Sequence, residues 1–113
     1  MAAMKACVIQ PYYSFDAQDT DRCYRDMVAL LDQCDDSMDL IVLPEYSDVP
    51  ANQPDKAHFD ASIRKYNEDI LARAKAAAVR CNAVVFVNAG FETKDGFRNT
   101  TYAIDRQGNI AGK

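Results

Sequence analysis

The stretch Asp39-Leu40-Ile41-Val42-Leu43-Pro44-Glu45-Tyr46 decides how the rest of the chain is read. Its four apolar residues are too few for an amphipathic helix, and Pro44 brings no amide to continue a ladder, so the run is a buried strand. Upstream, Ala6-Cys7-Val8-Ile9 is a second short apolar run, β-branched at two positions and stopped by Gln10-Pro11. Between the two, Cys23, Met27, Leu30, Leu31 and Cys34 recur at helical spacing, with Arg22, Arg25, Asp26, Asp32 and Asp35 on the opposite face. A helix from Asp19 follows, with Asp19 or Thr20 capping its amides and Asp21 at the positive end of its dipole.

Beyond Tyr46, prolines at 50 and 54 make 48–56 a loop. A long helix is expected from about Ser62 to Arg80, with Ile63, Tyr66, Ile70, Leu71, Ala74, Ala77, Ala78 and Cys81 on one stripe and Asn82 as its stop. Ala83–Val87 is apolar throughout and reads as a third strand covered on both faces. Gly90 to Gly96 reads as a turn, Thr100–Ile104 as a fourth strand, and Asp105–Asn109 as a turn before Ile110. The order β-α-β-α-β-β predicts an α/β layered fold, with parallel pairs first and an antiparallel pair last. Two helices on one side of such a sheet leave its other side needing a cover. The reading is therefore of one partial domain over residues 1–113, truncated at its C-terminal end, with a new strand beginning as Lys113 arrives.

Composition narrows the function. The chain has 113 residues, 49% hydrophobic and 27% charged, which is ordinary globular usage. Seventeen acidic against thirteen basic residues give a net charge of −4, and without a Lys/Arg run this lacks the footprint of a nucleic-acid binder. No apolar stretch approaches the roughly 20 residues of a membrane span, and Met1–Lys5 leads into a strand rather than a signal-peptide core. The four cysteines, at 7, 23, 34 and 81, have no Cys-x-x-Cys spacing and sit in apolar patterns, so they read as reduced structural thiols of a cytoplasmic protein. His58, the single histidine, falls in the approach to the second helix and reads as an exposed loop residue; with no second ligand beside it, no metal site is expected.

Glu45 carries the chemistry. It stands just past the carboxyl end of a buried strand, where open α/β sheets present their active groups. Pro44 fixes its own φ and keeps Leu43 extended, which defines Glu45 closely for a loop residue. On spacing alone, a solvated strand-end glutamate without a role is the simpler reading, because one acidic residue is a weak motif. A receiver-type signalling domain would also match in length and alternation. It would need an acidic pair after the first strand, where Gln10-Pro11 stands, and an aspartate where Glu45 stands.

Three blocks change the weighting. Met4–Pro11, Asp39–Glu45 and Arg98–Lys113 resemble, in order and spacing, successive blocks of the nitrilase superfamily, the carbon–nitrogen hydrolases. The resemblance covers essentially the whole chain but only the N-terminal part of a family domain. It implies an αββα sandwich and hydrolysis of a small amide, nitrile or carbamoyl compound by a Glu–Lys–Cys triad, without a cofactor. It favours an amidase over a nitrilase, and a homo-oligomer. Glu45 matches the family's general base. Asn99 matches an asparagine that often opens the fourth-strand block, in a hydrogen-bonding rather than a chemical role. The family's lysine stands a few residues past a Gly-Lys pair, so Lys113 is either that lysine under a shifted alignment or, as the spacing favours, its neighbour just before it. The nucleophilic cysteine comes later still, and Cys7, Cys23, Cys34 and Cys81 read as core residues. A non-catalytic remnant that only folds or associates is the alternative. Tyr12, Tyr13 and Phe15 are expected to pack under a long loop, or else to rim a pocket with Tyr46. Asp48 and Glu92 are expected to be loop acids without a role.

Overall fold

The computed structural model describes residues 3–113. Strands β1 (Ala6–Val8), β2 (Leu40–Val42), β3 (Val84–Thr93), β4 (Gly96–Ile104) and β5 (Ile110–Gly112) form one sheet in the order β1-β2-β3-β4-β5. Helix α1 (Thr20–Asp32) joins β1 to β2 and helix α2 (Lys56–Cys81) joins β2 to β3. The first three strands run parallel, as crossover helices require, and β3/β4 and β4/β5 are antiparallel. Strand β5 is the new strand expected at the end of the sequence, already formed by Ile110–Gly112.

One face of the sheet holds the core. Ile41, Val85, Val87, Ala89, Tyr102 and Ile104 are buried there with Met27, Leu31, Ile70, Ala74 and Ala78 from the helices. The other face is not covered by the described residues. Val8, Val42, Phe86 and Ala103 lie side by side on four adjacent strands, with Val8 66% exposed and the other three half-buried. The expectation that the third strand is covered on both faces is therefore not met by these residues, because its burial alternates from Val84 to Val87.

The helices meet through a reciprocal pair of tyrosines. Tyr24 of α1 stacks on Tyr66 of α2, with ring centroids 4.2 Å apart. Tyr24 donates its hydroxyl to Asp69 on α2, while Tyr66 donates to Asp21 on α1 at 3.1 Å. The Tyr24 bond, with Arg73 Nε at 2.7 Å, holds the Asp69 carboxyl below its ordinary range. Burial pushes the Tyr24 phenol up. Arg80 near the end of α2 donates to the carbonyls of Leu31 and Cys34, tying α2 to the end of α1.

Several boundaries differ from the sequence reading. Helix α2 starts at Lys56, because Asp55 accepts from the His58 amide at 2.9 Å and caps it. His58 thus belongs to the first helical turn, exposed, with its Nδ1 2.7 Å from Asp55. Asp19 makes no side-chain cap on α1; it accepts from Ser14 Oγ at 2.7 Å, and Asp16 caps the preceding 3-10 turn through the Gln18 amide. Asn82 does end α2, in the left-handed conformation with φ 50°. Strand β3 runs on through Gly90 to Thr93, so the turn shrinks to Lys94-Asp95. Gly90 is in the strand because α2 passes directly over it: an added Cβ would lie 2.9 Å from Ile63 Cγ2.

Candidate active site

Past β2 the chain keeps following β3 before it turns away. The Leu43 amide donates to the Phe86 carbonyl at 2.9 Å and the Ser47 amide to the Asn88 carbonyl at 2.9 Å. Between these two anchors sit Pro44, Glu45 and Tyr46. Ser47 Oγ closes the turn on the Pro44 carbonyl at 2.8 Å, and the Val49 amide closes on the Tyr46 carbonyl at 2.8 Å. Tyr46 has φ 51°, a left-handed conformation that costs a non-glycine residue about 1 kcal/mol or more. Two contacts hold it there: its amide donates to Asn88 Oδ1 at 2.7 Å, and its ring meets Phe59 edge-on at 5.1 Å.

Glu45 projects from this turn, exposed, toward β4. Its Oε1 accepts from Asn99 Nδ2 at 3.2 Å. Asn99 Oδ1 accepts in turn from Asn88 Nδ2 at 2.7 Å, and that same nitrogen donates to Thr101 Oγ1 at 3.0 Å. Asn88 therefore orients both the backbone beside Glu45 and the amide that touches its carboxylate. The expected hydrogen-bonding place of Asn99 is where the structure puts it. Asn88 was not singled out in the sequence, although a lone polar residue between Val87 and Ala89 of an apolar strand was its available signal.

Asp48 closes this turn, a loop acid as expected, but it does not face solvent. The residue is fully buried. Its Oδ2 accepts from the Gly90 amide at 2.8 Å and from Asn67 Nδ2 at 2.9 Å, bolting α2 to β3 under the Glu45 turn. Its carbonyl takes the Ser62 hydroxyl at 2.7 Å. Oδ1 has no partner among the described residues. Burial pushes the Asp48 carboxyl above its ordinary range, against the opposing hydrogen bonds from Asn67 and Gly90. Glu92 also departs from expectation, being an exposed residue of β3 rather than of a loop.

A cavity of about 150 Å³ opens beside Glu45, walled by Pro11, Tyr12, Tyr13, Met27, Tyr46 and Val49 among others. Tyr12 and Tyr13 stand on its rim, 64% and 49% exposed, and Phe15 is 86% exposed, so none of the three packs under a loop. No cysteine lines this cavity. Cys23, Cys34 and Cys81 are buried and Cys7 half-buried, all as free thiols. Lys113 is not brought to Glu45: its Nζ sits over the Phe91 ring, 3.7 Å from the centroid. Among the described residues no group of three His, Cys, Asp or Glu is placed to hold a metal ion. No described helix is long and apolar enough to cross a membrane.

Comparison with known proteins bears on this site. The family described as carbon-nitrogen hydrolase matches residues 5–113. A search of curated proteins gave no match. Among solved structures, a carbon-nitrogen hydrolase from Helicobacter pylori superposes with a TM-score of 0.71 at 22% identity, covering 96% of this chain and 38% of that one. A CN-hydrolase superfamily protein from Xanthomonas campestris, whose structure holds an arsenic adduct in its active site, gives 0.68 at 19% identity, covering 97% and 39%. At these identities the likeness is one of fold, and the chain spans about two-fifths of the length of either protein. The family match over residues 5–113 shows that this chain belongs to the carbon-nitrogen hydrolase family.

Proposed function

We propose that this chain is the general-base portion of an enzyme that hydrolyses a non-peptide carbon–nitrogen bond in a small molecule, an amide ahead of a nitrile or carbamoyl compound. The observation that carries the reading is the Asn88–Asn99–Glu45 relay at the mouth of a cavity, on the residue that matches the family's glutamate. Glu45 takes the proton of a cysteine thiol, whose ordinary pKa of ~8.5 leaves it mostly protonated at neutral pH. The thiolate attacks the substrate carbon and forms a thioester-type intermediate. Glu45 passes the proton to the departing ammonia or amine, then draws one from the attacking water. A lysine ammonium stabilises the charge that develops on the substrate oxygen or nitrogen. On this reading the lysine follows shortly after Lys113, and the cysteine is none of the four present.

The four free thiols support a cytoplasmic setting, and the apolar sheet face supports a homo-oligomer. That face also favours the second reading, in which these residues act only as a folding or association module.

The test has two arms. The 113-residue chain incubated with a panel of small amides and nitriles should release no product by mass spectrometry, since base, lysine and nucleophile act as a unit. In a chain that also carries the lysine and cysteine, Glu45→Gln should slow single-turnover acylation by ~10²–10⁴-fold with an unchanged thermal melt. Wild-type acylation by a folded Glu45→Gln protein would remove Glu45 from the mechanism. Turnover by the 113 residues alone that Glu45→Gln abolishes would mean the missing roles are filled within them.

A further inference from the structure

Beside β1, a second groove, of about 410 Å³, is lined by Cys7, Val8, Leu30, Gln33, Cys34 and Met38 among others. Two of these are cysteines from different elements. Cys7 is the middle residue of β1, and Cys34 follows the end of α1. Their sulfur atoms lie 3.7 Å apart, and Cys34 Sγ also lies 3.8 Å from the Leu30 carbonyl. The two differ in access: Cys7 is half-buried on the groove wall, whereas Cys34 is 3% exposed. We propose that Cys7 and Cys34 are an oxidant-responsive dithiol, which a hydroperoxide entering the groove closes into an intramolecular disulfide.

The chemistry balances in two steps. The Cys7 sulfur attacks one peroxide oxygen and the O–O bond breaks; Cys7 becomes a sulfenic acid, and the departing oxygen takes up the Cys7 thiol proton and leaves as an alcohol, or as water from hydrogen peroxide. Cys34 sulfur then attacks the sulfenic sulfur, the S–O bond breaks, and the Cys34 proton leaves with the hydroxyl as water. Access leaves the first step to Cys7, since Cys34 is almost wholly buried, and burial with the adjacent Cys7 thiol pushes the Cys34 thiol up. The same effect slows the second step, toward the longer end of the seconds-to-hours range of disulfide formation.

Closure asks the sulfurs to move from 3.7 Å to the disulfide length of ~2.05 Å. Strand β1 is fixed by its ladder to β2. The backbone of Cys34 is also held, its amide by the Leu31 carbonyl and its carbonyl by Arg80, so rotation of the two cysteine side chains must supply the movement. The strand so clamped continues into Gln10, which lines both this groove and the Glu45 cavity.

The reduced 113-residue chain, treated with hydrogen peroxide in native buffer and then denatured and alkylated, provides the test. Intact mass should show loss of two hydrogens, about 2 Da, with only two of the four thiols left to alkylate. Digestion should yield one linked peptide pair, joining Cys7 to Cys34. Cys34→Ser should prevent the link and let Cys7 advance to sulfinic acid, whereas Cys23→Ala and Cys81→Ala should leave it intact. Mapping of the wild-type chain needs no variant to fold. Four alkylatable thiols after excess peroxide, a link through Cys23 or Cys81, a link between two chains, or wild-type Cys7 trapped as sulfinic acid would each overturn the proposal.

Discussion

Asp48 is three residues from Glu45 and has the opposite character: no solvent, two donors on one oxygen and none on the other. A carboxyl raised by burial binds its proton more tightly in the folded than in the unfolded chain. Its stabilising contribution is therefore complete below the unfolded value of ~3.9 and is lost as pH rises through the higher folded value. Asp48→Asn keeps an oxygen for Gly90 and Asn67 and removes the buried charge, so at pH 7 it should melt no lower than wild type. As pH falls toward 4, wild type should gain on the variant. Asp48→Ala leaves the Gly90 amide without an acceptor and Asn67 with only the Gly90 carbonyl at 2.7 Å, and should cost at least the ~1–3 kcal/mol of one unsatisfied buried donor. Thermal melts of the three proteins across this pH range check the argument, and a pH-independent gap between wild type and Asp48→Asn would refute it. Nothing in the sequence separates this acid from its neighbours, because its burial depends on Asn67 and Gly90, which arrive from other elements.

At the scale of elements, the packing of α2 on β3 turns on one missing methyl. An alanine at position 90 would press its Cβ to 2.9 Å from Ile63 Cγ2 and 3.2 Å from its Cδ1, and Ile63 is fully buried. Gly90→Ala should therefore destabilise by about 1–3 kcal/mol in urea unfolding, the usual range for an overpacked core. Ile63→Ala should be destabilising alone, yet the double variant should lose less than the two single losses together, because the cavity made at 63 admits the methyl at 90. Strict additivity would show that α2 shifts freely and that the contact does not hold it. The same glycine explains where sequence reading stopped short. The helical stripes, the places of the first three strands and the Pro44 stop are local patterns, and each was legible. Strand β1, however, is a largely exposed edge strand rather than the buried one expected, because no strand pairs beyond it among the described residues. Gly90 resembles turn punctuation until α2 is seen above it, and the real turn signal was the Asp95-Gly96 pair that closes the β3–β4 hairpin. The start of α2 was likewise written in Asp55 rather than in the apolar stripe, which begins only at Phe59 and Ile63.

For the whole molecule, the decisive asymmetry is between the two faces of the sheet. Both helices pack on one face, while Val8, Val42, Phe86 and Ala103 form an apolar row on the other. Strand β1 is also an edge, so beside this row lies a line of backbone groups free to pair with another chain. A net charge of −4 supplies only weak repulsion between copies, and salt at 0.15 M screens it over about 8 Å. Apolar burial is worth roughly 25 cal/mol per Å², so even a few hundred Å² brought together outweighs that repulsion. The 113-residue chain should therefore self-associate with rising concentration, or bind a hydrophobic dye where it remains monomeric. Replacing Val8 and Phe86 together by lysine should weaken both behaviours, since these side chains face away from the helical core and their charge can reach solvent. Light scattering across concentration, with dye fluorescence and a thermal melt on wild type and variant, distinguishes association through this face from general unfolding. A monodisperse, dye-silent wild-type monomer that melts at high temperature would show that the row needs no cover, and that these residues are already a finished domain.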